Sequence, residues 1–436
     1  MKKLIIISVF AFSIISSFAQ DDVYPAKENK GITFITNATI HVGNGSVITN
    51  GTIKINNGKI EQVGQNIAAS GDNAKVFDAK GKQVYPGLIL SNTNLGLMEI
   101  ANGVRASNDY TELGEFNPSI RSIVAYNTDS KIIGTLRTNG ILLASVAPQG
   151  GLISGSSSVV QLDAWNWEDA AYKMENGIHF DMPELINRRG AFFAFFGLPQ
   201  PQGDPVKQAL EKIETVKNFF RSAKAYLQET NHAETNLKYE AVRGLFEKKQ
   251  KFFVHGDLVK QMLLAIDFSK EFGFDVVIVG GSESWQIADL LKQNNIAVIL
   301  GQEHDLPATE DDDVDQPFKT PYALQKAGVL FALNDDDQNT RSRNLAFNAG
   351  TAASYGLTKE EALQAITLNA AKILGIADKT GSIEVGKDAN IIVSEGDVLD
   401  MKSSIITLAL IQGRQVPLTD KHQQLYERYK TKYGLK

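Results

Sequence analysis

The chain has no cysteine. Disulfides, thiol nucleophiles and cysteine-ligated metals are therefore excluded in any compartment. It also lacks a block of lysine and arginine, and its net charge is only -6 over 436 residues. Nothing in that balance points to nucleic acid. Beyond the first twenty residues no apolar run is long enough to cross a bilayer, which takes about 20 residues. The mature chain is thus expected to have no membrane span.

What is present begins with a leader-like N-terminus. Met1-Lys2-Lys3 is followed by the apolar run LIIISVFAFSII and then SSFAQ. Ser17-Phe18-Ala19 fits a small-x-small cleavage site, so residues 1–19 read as a signal peptide and the protein as exported and periplasmic. No cysteine precedes the cut to carry a lipid anchor. Residues 20–31 are expected to be a flexible N-terminal segment. From Ile32 to Val84, ITFITNATIHVG, GTIKINNGKIEQVG and AKVFDAKGKQVYPG alternate apolar and polar residues, with Asn57-Gly58 as a hairpin turn. GSIEVGKDANIIVSEG and SSIITLALIQGRQV repeat that pattern near the other end. The two β segments suggest either one sheet structure built from both ends or two separate units.

The middle alternates strands with helices. FFVHG, DVVIVGG, AVILGQ and VLFALNDD read as buried strands, and LVKQMLLAIDFSKEFG, SWQIADLLKQNN and TPYALQKAG as the helices between them. GDPVKQALEKIETVKNFFRSAKAYLQET and KYEAVRGLFEKKQ read as long helical stretches, and Thr358 with Glu361 as a capping box. Repeated β-then-α units with near-continuous apolar strands argue for a parallel sheet covered by helices. No glycine-rich phosphate loop follows any of these strands, which favours an eight-stranded barrel over an open sheet.

Three segments carry a resemblance: GKQVYPGLILSNTNLG, VLFALNDDDQNTRSRNLAFNAGTAASYGLTKEEALQAITLNAAKILGI and KTGSIEVGKDANIIVSEGDVLDM. They resemble the amidohydrolase superfamily, most closely its imidazolonepropionase-like and prolidase-like branch. The likeness weakens through residues 100–240. It implies an α/β fold: a (β/α)₈ TIM barrel over residues 88–378, and a discontinuous β-sandwich from residues 32–87 plus 379–420. Residues 421–436 would form a C-terminal helical tail. It also implies hydrolysis of a C–N bond by a metal-activated water.

The ligands that this chemistry needs are largely replaced. Where the family has H-x-H on the first barrel strand, this chain has Asn92 and Asn94, and Leu90 stands where an aspartate is usual. A carboxamide oxygen is a weak, neutral donor that suits calcium better than zinc. His255 is kept, followed by Asp257; Gly280 stands where a histidine is expected; Asn334 holds a position where histidine is frequent. Asp336 matches the family's metal-bridging or water-activating aspartate, flanked by Asp335 and Asp337. The expected centre is therefore degenerate. The alternative is one divalent ion, Zn or Mn, on His255 and Asp336 with help from Asn92, Asn94 or Asp257.

If the protein is active, Asp336 would be the general base and His255 a ligand or oxyanion donor. Asn92, Asn94, Arg341 and Arg343 would contact a small amide or peptide substrate. The competing reading is a non-catalytic homologue that binds a ligand, forms a homo-oligomer or pairs with an active relative. Several other features take plainer readings. Residues 308–318, ATEDDDVDQPF, read as a solvated loop over the barrel mouth, and residues 149–170 as a flexible glycine- and serine-rich loop. His41, His179, His232 and His422 read as surface residues, and His304 as a substrate contact, a ligand or a solvated side chain.

Overall fold

The computed structural model describes residues 24–71, 73–100, 108–185, 204–229, 231–335 and 341–435. Along the chain, β1 (Ile32–His41), β2 (Val47–Asn56), β3 (Lys59–Gly64), β4 (Lys75–Asp78) and β5 (Gln83–Pro86) come first. The barrel strands follow: β6 (Leu88–Thr93), β7 (Ile141–Val146), β8 (Ile153–Gln161), β9 (Ala171–Asp181), β10 (Lys251–Gly256), β11 (Val276–Gly280), β12 (Ala297–Leu300) and β13 (Phe331–Leu333). The last strands are β14 (Ile391–Ser394), β15 (Ile406–Ile411) and β16 (Arg414–Gln415), with a final helix at Lys421–Lys432.

Strands from both ends share one eight-stranded sheet, in the order β16-β15-β14-β5-β1-β2-β3 with β4 beside β1. The join between the two chain ends is the antiparallel ladder of β14 on β5, with Ile392 opposite Tyr85. The β2–β3 turn is made by Asn57 and Gly58, both at positive φ, as a two-residue hairpin requires. Ile35, Ile40, Ile53, Ile55, Val84, Ile391 and Val393 form this sheet's own core. Polar clamps fix it to the barrel. Tyr172 Oη donates to Asp388 at 2.5 Å, and Lys59 Nζ meets the other oxygen of Asp388 at 2.7 Å. A second clamp is a buried charge cluster, in which Asp163 accepts from Arg137 at 2.8 Å and from Arg414 at 2.9 Å.

The second sheet is the nearly closed barrel, β6 to β13 in sequence order. Seven of its strands run parallel; β8 is antiparallel to both β7 and β9. This departs from a strict (β/α)₈ arrangement. It also corrects the reading of residues 149–170 as a loop, because Ile153–Val160 is a fully buried strand. Ser154 Oγ has no partner among the described residues, whereas three other buried serines of this strand do: Ser156 Oγ donates to the Ile120 carbonyl at 3.1 Å, Ser157 Oγ donates to Asn176 Oδ1 at 3.0 Å, and Ser158 Oγ accepts from Glu175 N–H at 2.9 Å. A hydroxyl so satisfied carries little burial penalty.

The helical layer packs on alternate strand residues. Phe180 of β9 and Phe252 of β10 pack in tilted contact with Phe268 of the helix Val259–Phe272, and Phe252 meets Phe220 of the helix Pro205–Gln228 edge to face. Since strand side chains alternate, Phe253 and His255 of β10 and their neighbours His179 and Asp181 of β9 turn into the barrel. Gly177 makes room for this interior packing: a Cβ there would come 2.3 Å from the Phe253 ring. Thr358 and Glu361 form the expected capping box on the helix Lys359–Ala365. KYEAVRGLFEKKQ, expected as one long helix, is instead two short helices, Leu237–Ala241 and Arg243–Phe246, broken at Val242.

Candidate active site

Barrel enzymes carry their sites at the C-terminal ends of the parallel strands. Here that rim gathers Asn92 near the end of β6 and Asn94 just after it, Asp181 at the end of β9, His255 and Asp257 at β10, Gly280 at β11, Gln302 and Glu303 after β12, and Asn334 and Asp335 after β13.

His255 does not stand alone. Its Nε2 lies 2.8 Å from Nδ1 of His179, so the two rings share one hydrogen. The other nitrogen of His255 faces Asp181 Oδ1 at 4.0 Å. His179 is fully buried and stacks on Phe253 at 4.7 Å, which corrects its reading as a surface residue. Burial, and then the neighbouring His255, hold its pKa well below the ordinary 6.5, so it is neutral. Its Nε2 has no hydrogen-bond partner among the described residues. Burial also raises the Asp181 carboxyl above its usual range. An ionised Asp181 favours the proton on Nδ1 of His255, which makes His255 Nε2 the acceptor and His179 Nδ1 the donor. His179 Nε2 is then a bare buried lone pair.

Asn334 has an architectural part. Its Oδ1 accepts from the N–H groups of Ser91 at 3.0 Å and Asn92 at 3.1 Å, and its Nδ2 donates to the Asn92 carbonyl at 2.9 Å. Among the described residues no backbone ladder joins β13 to β6. One carboxamide therefore closes the barrel seam. The side-chain oxygen of Asn92 is buried without a partner among the described residues, whereas Asn94 is half-buried, its carbonyl closing a turn on Leu97 and Met98. The two asparagines thus occupy different surroundings.

Asp335 turns outward to the helical layer, where Asn348 Nδ2 donates to it at 2.9 Å. The Oδ1 of the same Asn348 accepts from the Glu303 N–H at 3.3 Å, tying the loops after β12 and β13 together. Asp336 and Asp337 lie outside the described residues. Arg341 is exposed and Arg343 half-buried in the short turn Arg341–Asn344 that follows. His304, at the surface, bonds Thr351 at 2.8 Å. His41 and His232, also expected at the surface, are half-buried. His41 bridges Glu360 at 2.6 Å and Gln83 at 2.9 Å, whereas His232 stacks on Tyr226 at 3.7 Å. His422 is exposed as expected.

The donor set can be tested against the family's metal. Gly280 has φ +101, and a Cβ there would lie 2.6 Å from Asp257 Oδ1. No imidazole can be carried at that position without moving Asp257. Asn334 is committed to the seam, and His179 and His255 are bonded to each other. Among the described residues no three His, Asp or Glu side chains converge as a metal site would need. The described residues do not fit a multi-histidine transition-metal centre.

The architecture is an eight-stranded α/β barrel with a sheet made from both chain ends and polar residues at the strand ends. The amidohydrolase family model matches residues 217–416. An imidazolonepropionase from Thermoplasma volcanium is 24% identical over 384 residues, 84% of this chain and 86% of that protein. A solved amidohydrolase from Thermotoga maritima is 27% identical, with a TM-score of 0.76 covering 88% of this chain and 99% of that one. A prolidase solved with N-methylphosphonate-L-proline shares the fold at 17% identity and a TM-score of 0.53, over 88% of this chain and 99% of that one. Together these likenesses support the amidohydrolase superfamily for this chain.

Proposed function

We propose that this protein is an exported, periplasmic amidohydrolase homologue whose barrel mouth binds a small amide, cyclic amide or peptide, and in which metal-assisted C–N hydrolysis is weak or lost. The observation that carries the reading is Gly280. Its positive φ strains any side chain and a Cβ there would require the Asp257 carboxylate to shift, which disfavours a histidine where the family resemblance expects one. Loss of that donor, with asparagine in place of histidine at positions 92, 94 and 334, leaves a mouth poorly suited to activating water, with Asn92 and Asn94 as polar groups for an amide.

The test is direct. The mature protein is purified without chelators, its metals are measured by elemental analysis, and hydrolysis is followed over dipeptides and cyclic amides. Substoichiometric metal with no cleavage, but measurable binding of at least one such amide, is the expected result. A full equivalent of Zn, Mn or Fe that disappears in Asp336→Ala would refute it.

A second reading keeps catalysis. It is favoured by the bare Nε2 of buried His179, an acceptor of the kind a proton-transfer site uses. In that reading His179 and His255 move a proton at a bound amide, and Asp336 anchors it. Cleavage abolished by His179→Gln and retained in the presence of chelator would select it. Partnership is a further part of the proposal: the chain acts alone, as a homo-oligomer, or paired with an active homologue. Cross-linking in the native envelope separates these, and N-terminal sequencing that begins at Gln20 supports export.

A further inference from the structure

The loops after β10, β11 and β12 enclose a cavity of about 220 Å³ with the helix Gln316–Ala327. Four carboxylates line it: Asp257, Glu303, Asp305 and Asp312. Among the described residues no lysine, arginine or histidine lines it. The acidic stretch 308–318 is therefore a wall of this cavity rather than a loop in solvent alone.

Glu303 sets this apart from a solvated acidic surface. It is 2% exposed, and among the described residues neither of its carboxyl oxygens has a hydrogen-bond partner. Buried polar atoms are almost always paired, so an orphaned carboxyl at a cavity wall calls for an occupant. Its backbone is held by Asn348, which fixes the residue in place without satisfying the side chain.

We propose that this cavity binds an organic cation, an alkylammonium or alkylguanidinium group, with Glu303 as the buried counter-ion and Asp257, Asp305 and Asp312 as an acidic rim. The volume supports a group of side-chain size, since sites for drug-sized ligands run to ~300–1,000 Å³. A metal cation is disfavoured because the described carboxylates do not converge as ligands. The charge supports a cation over a neutral ligand, because a charge-assisted bond to a desolvated carboxylate is the strong kind. The proposal rests on the preceding reading only in placing a ligand at the barrel mouth, and it requires no hydrolysis.

The test is calorimetric titration of the full mature chain at neutral pH with n-butylguanidinium and n-butylammonium. The controls are n-pentanol, butyrate and Ca²⁺ alone. The expected result is saturable binding of at least one cation and none of the neutral or anionic controls. Glu303→Gln should weaken that binding by about 10- to 100-fold, the worth of one charge-assisted hydrogen bond. Should Glu303→Gln fail to fold, Asp312→Asn is the second variant, with a loss of about 3- to 10-fold expected for a rim charge. Absence of cation binding, equal binding of pentanol, unchanged affinity in the variants, or Ca²⁺ displacing the organic cation would each overturn the proposal. Cleavage of panel amides by a stoichiometric metal enzyme would end the preceding reading and leave this one standing, so the two fail separately.

Discussion

Removing the Asn334 side chain should open the barrel at its seam. Three hydrogen bonds depend on that one buried carboxamide, two accepted from Ser91 and Asn92 N–H and one donated to the Asn92 carbonyl. In Asn334→Ala those three backbone groups lose their partners in a strand that is fully buried. A typical bond contributes about 1 kcal/mol net, and an orphaned buried group costs about 1–3 kcal/mol. Partial relaxation and an entering water would offset some of this, so the expected loss is about 3–5 kcal/mol. That is a large fraction of the 5–15 kcal/mol by which domains are typically stable. Asn334→Asp is a sharper probe. It keeps both acceptors but sets a carboxylate oxygen against the Asn92 carbonyl, so it should also destabilise, and less so as acid protonates it. Urea unfolding followed by circular dichroism reads both variants, with a constant m-value as the check on two-state behaviour. A loss below about 1 kcal/mol for Asn334→Ala would show that the seam is held by packing, and the account of Asn334 as a structural closure would fall.

Four further outcomes are expected. Asp163→Asn should cost about 3–5 kcal/mol in the same urea assay, because it strands Arg137 and Arg414 beside a neutral group in a buried cluster. His179 is depressed below 6.5 in the fold, so the unfolded chain takes up its proton first as pH falls. Stability from this group should be complete above pH 6.5 and decline below it, and His179→Gln should flatten that part of a pH series of urea midpoints. Glu303 is shifted the opposite way, well above 4.5 by burial, so its contribution is present below pH 4.5 and lost as pH rises through its raised pKa. Glu303→Gln should therefore be more stable than the parent at neutral pH, and a less stable variant would refute the assignment of an unsatisfied carboxyl. Gly177→Ala should destabilise by about 1–3 kcal/mol through its clash with Phe253, read as a lowered thermal midpoint.

How far the sequence disclosed this depended on the type of signal. The barrel strands β10 to β13 are apolar runs bounded by turns, and their order and type follow from period and length alone. β8 was hidden because its strand is built of Gly155, Ser156, Ser157 and Ser158, which read as linker chemistry until their hydrogen-bond partners on β9 and on the segment before the helix Ser122–Ala125 are seen. His255 was visible from FFVHG, a strand ending in histidine. His179 sits in an equivalent place, the inward position of ENGIHFD near the end of β9, but its face is defined only by the pairing of β9 with β10. A single histidine in a run of mixed polarity carries no such information. Asn334 was legible as a departure from a family pattern and not as a seam, because its partners are backbone groups more than 240 residues earlier in the chain.

These same residues explain why the metal site would not be regained by reverting single positions. Asn92→His and Asn94→His would restore the H-x-H of the family resemblance, and the peptide groups of Asn92 would still be held by Asn334. Asn334→His would break the seam, since an imidazole cannot accept from two N–H groups and donate to a third group in one plane. Gly280→His would force a Cβ to within 2.6 Å of Asp257 Oδ1 at a φ that side chains avoid. The double variant Asn92→His with Asn94→His should therefore fold and yet bind zinc no better than micromolar in a competition assay with a chromogenic chelator, while the Gly280→His protein should lose stability before it gains metal. Nanomolar zinc in the double variant would mean that Asp336 and His255 already form most of a working centre, and the structural commitment of Gly280 and Asn334 would then be irrelevant to the chemistry.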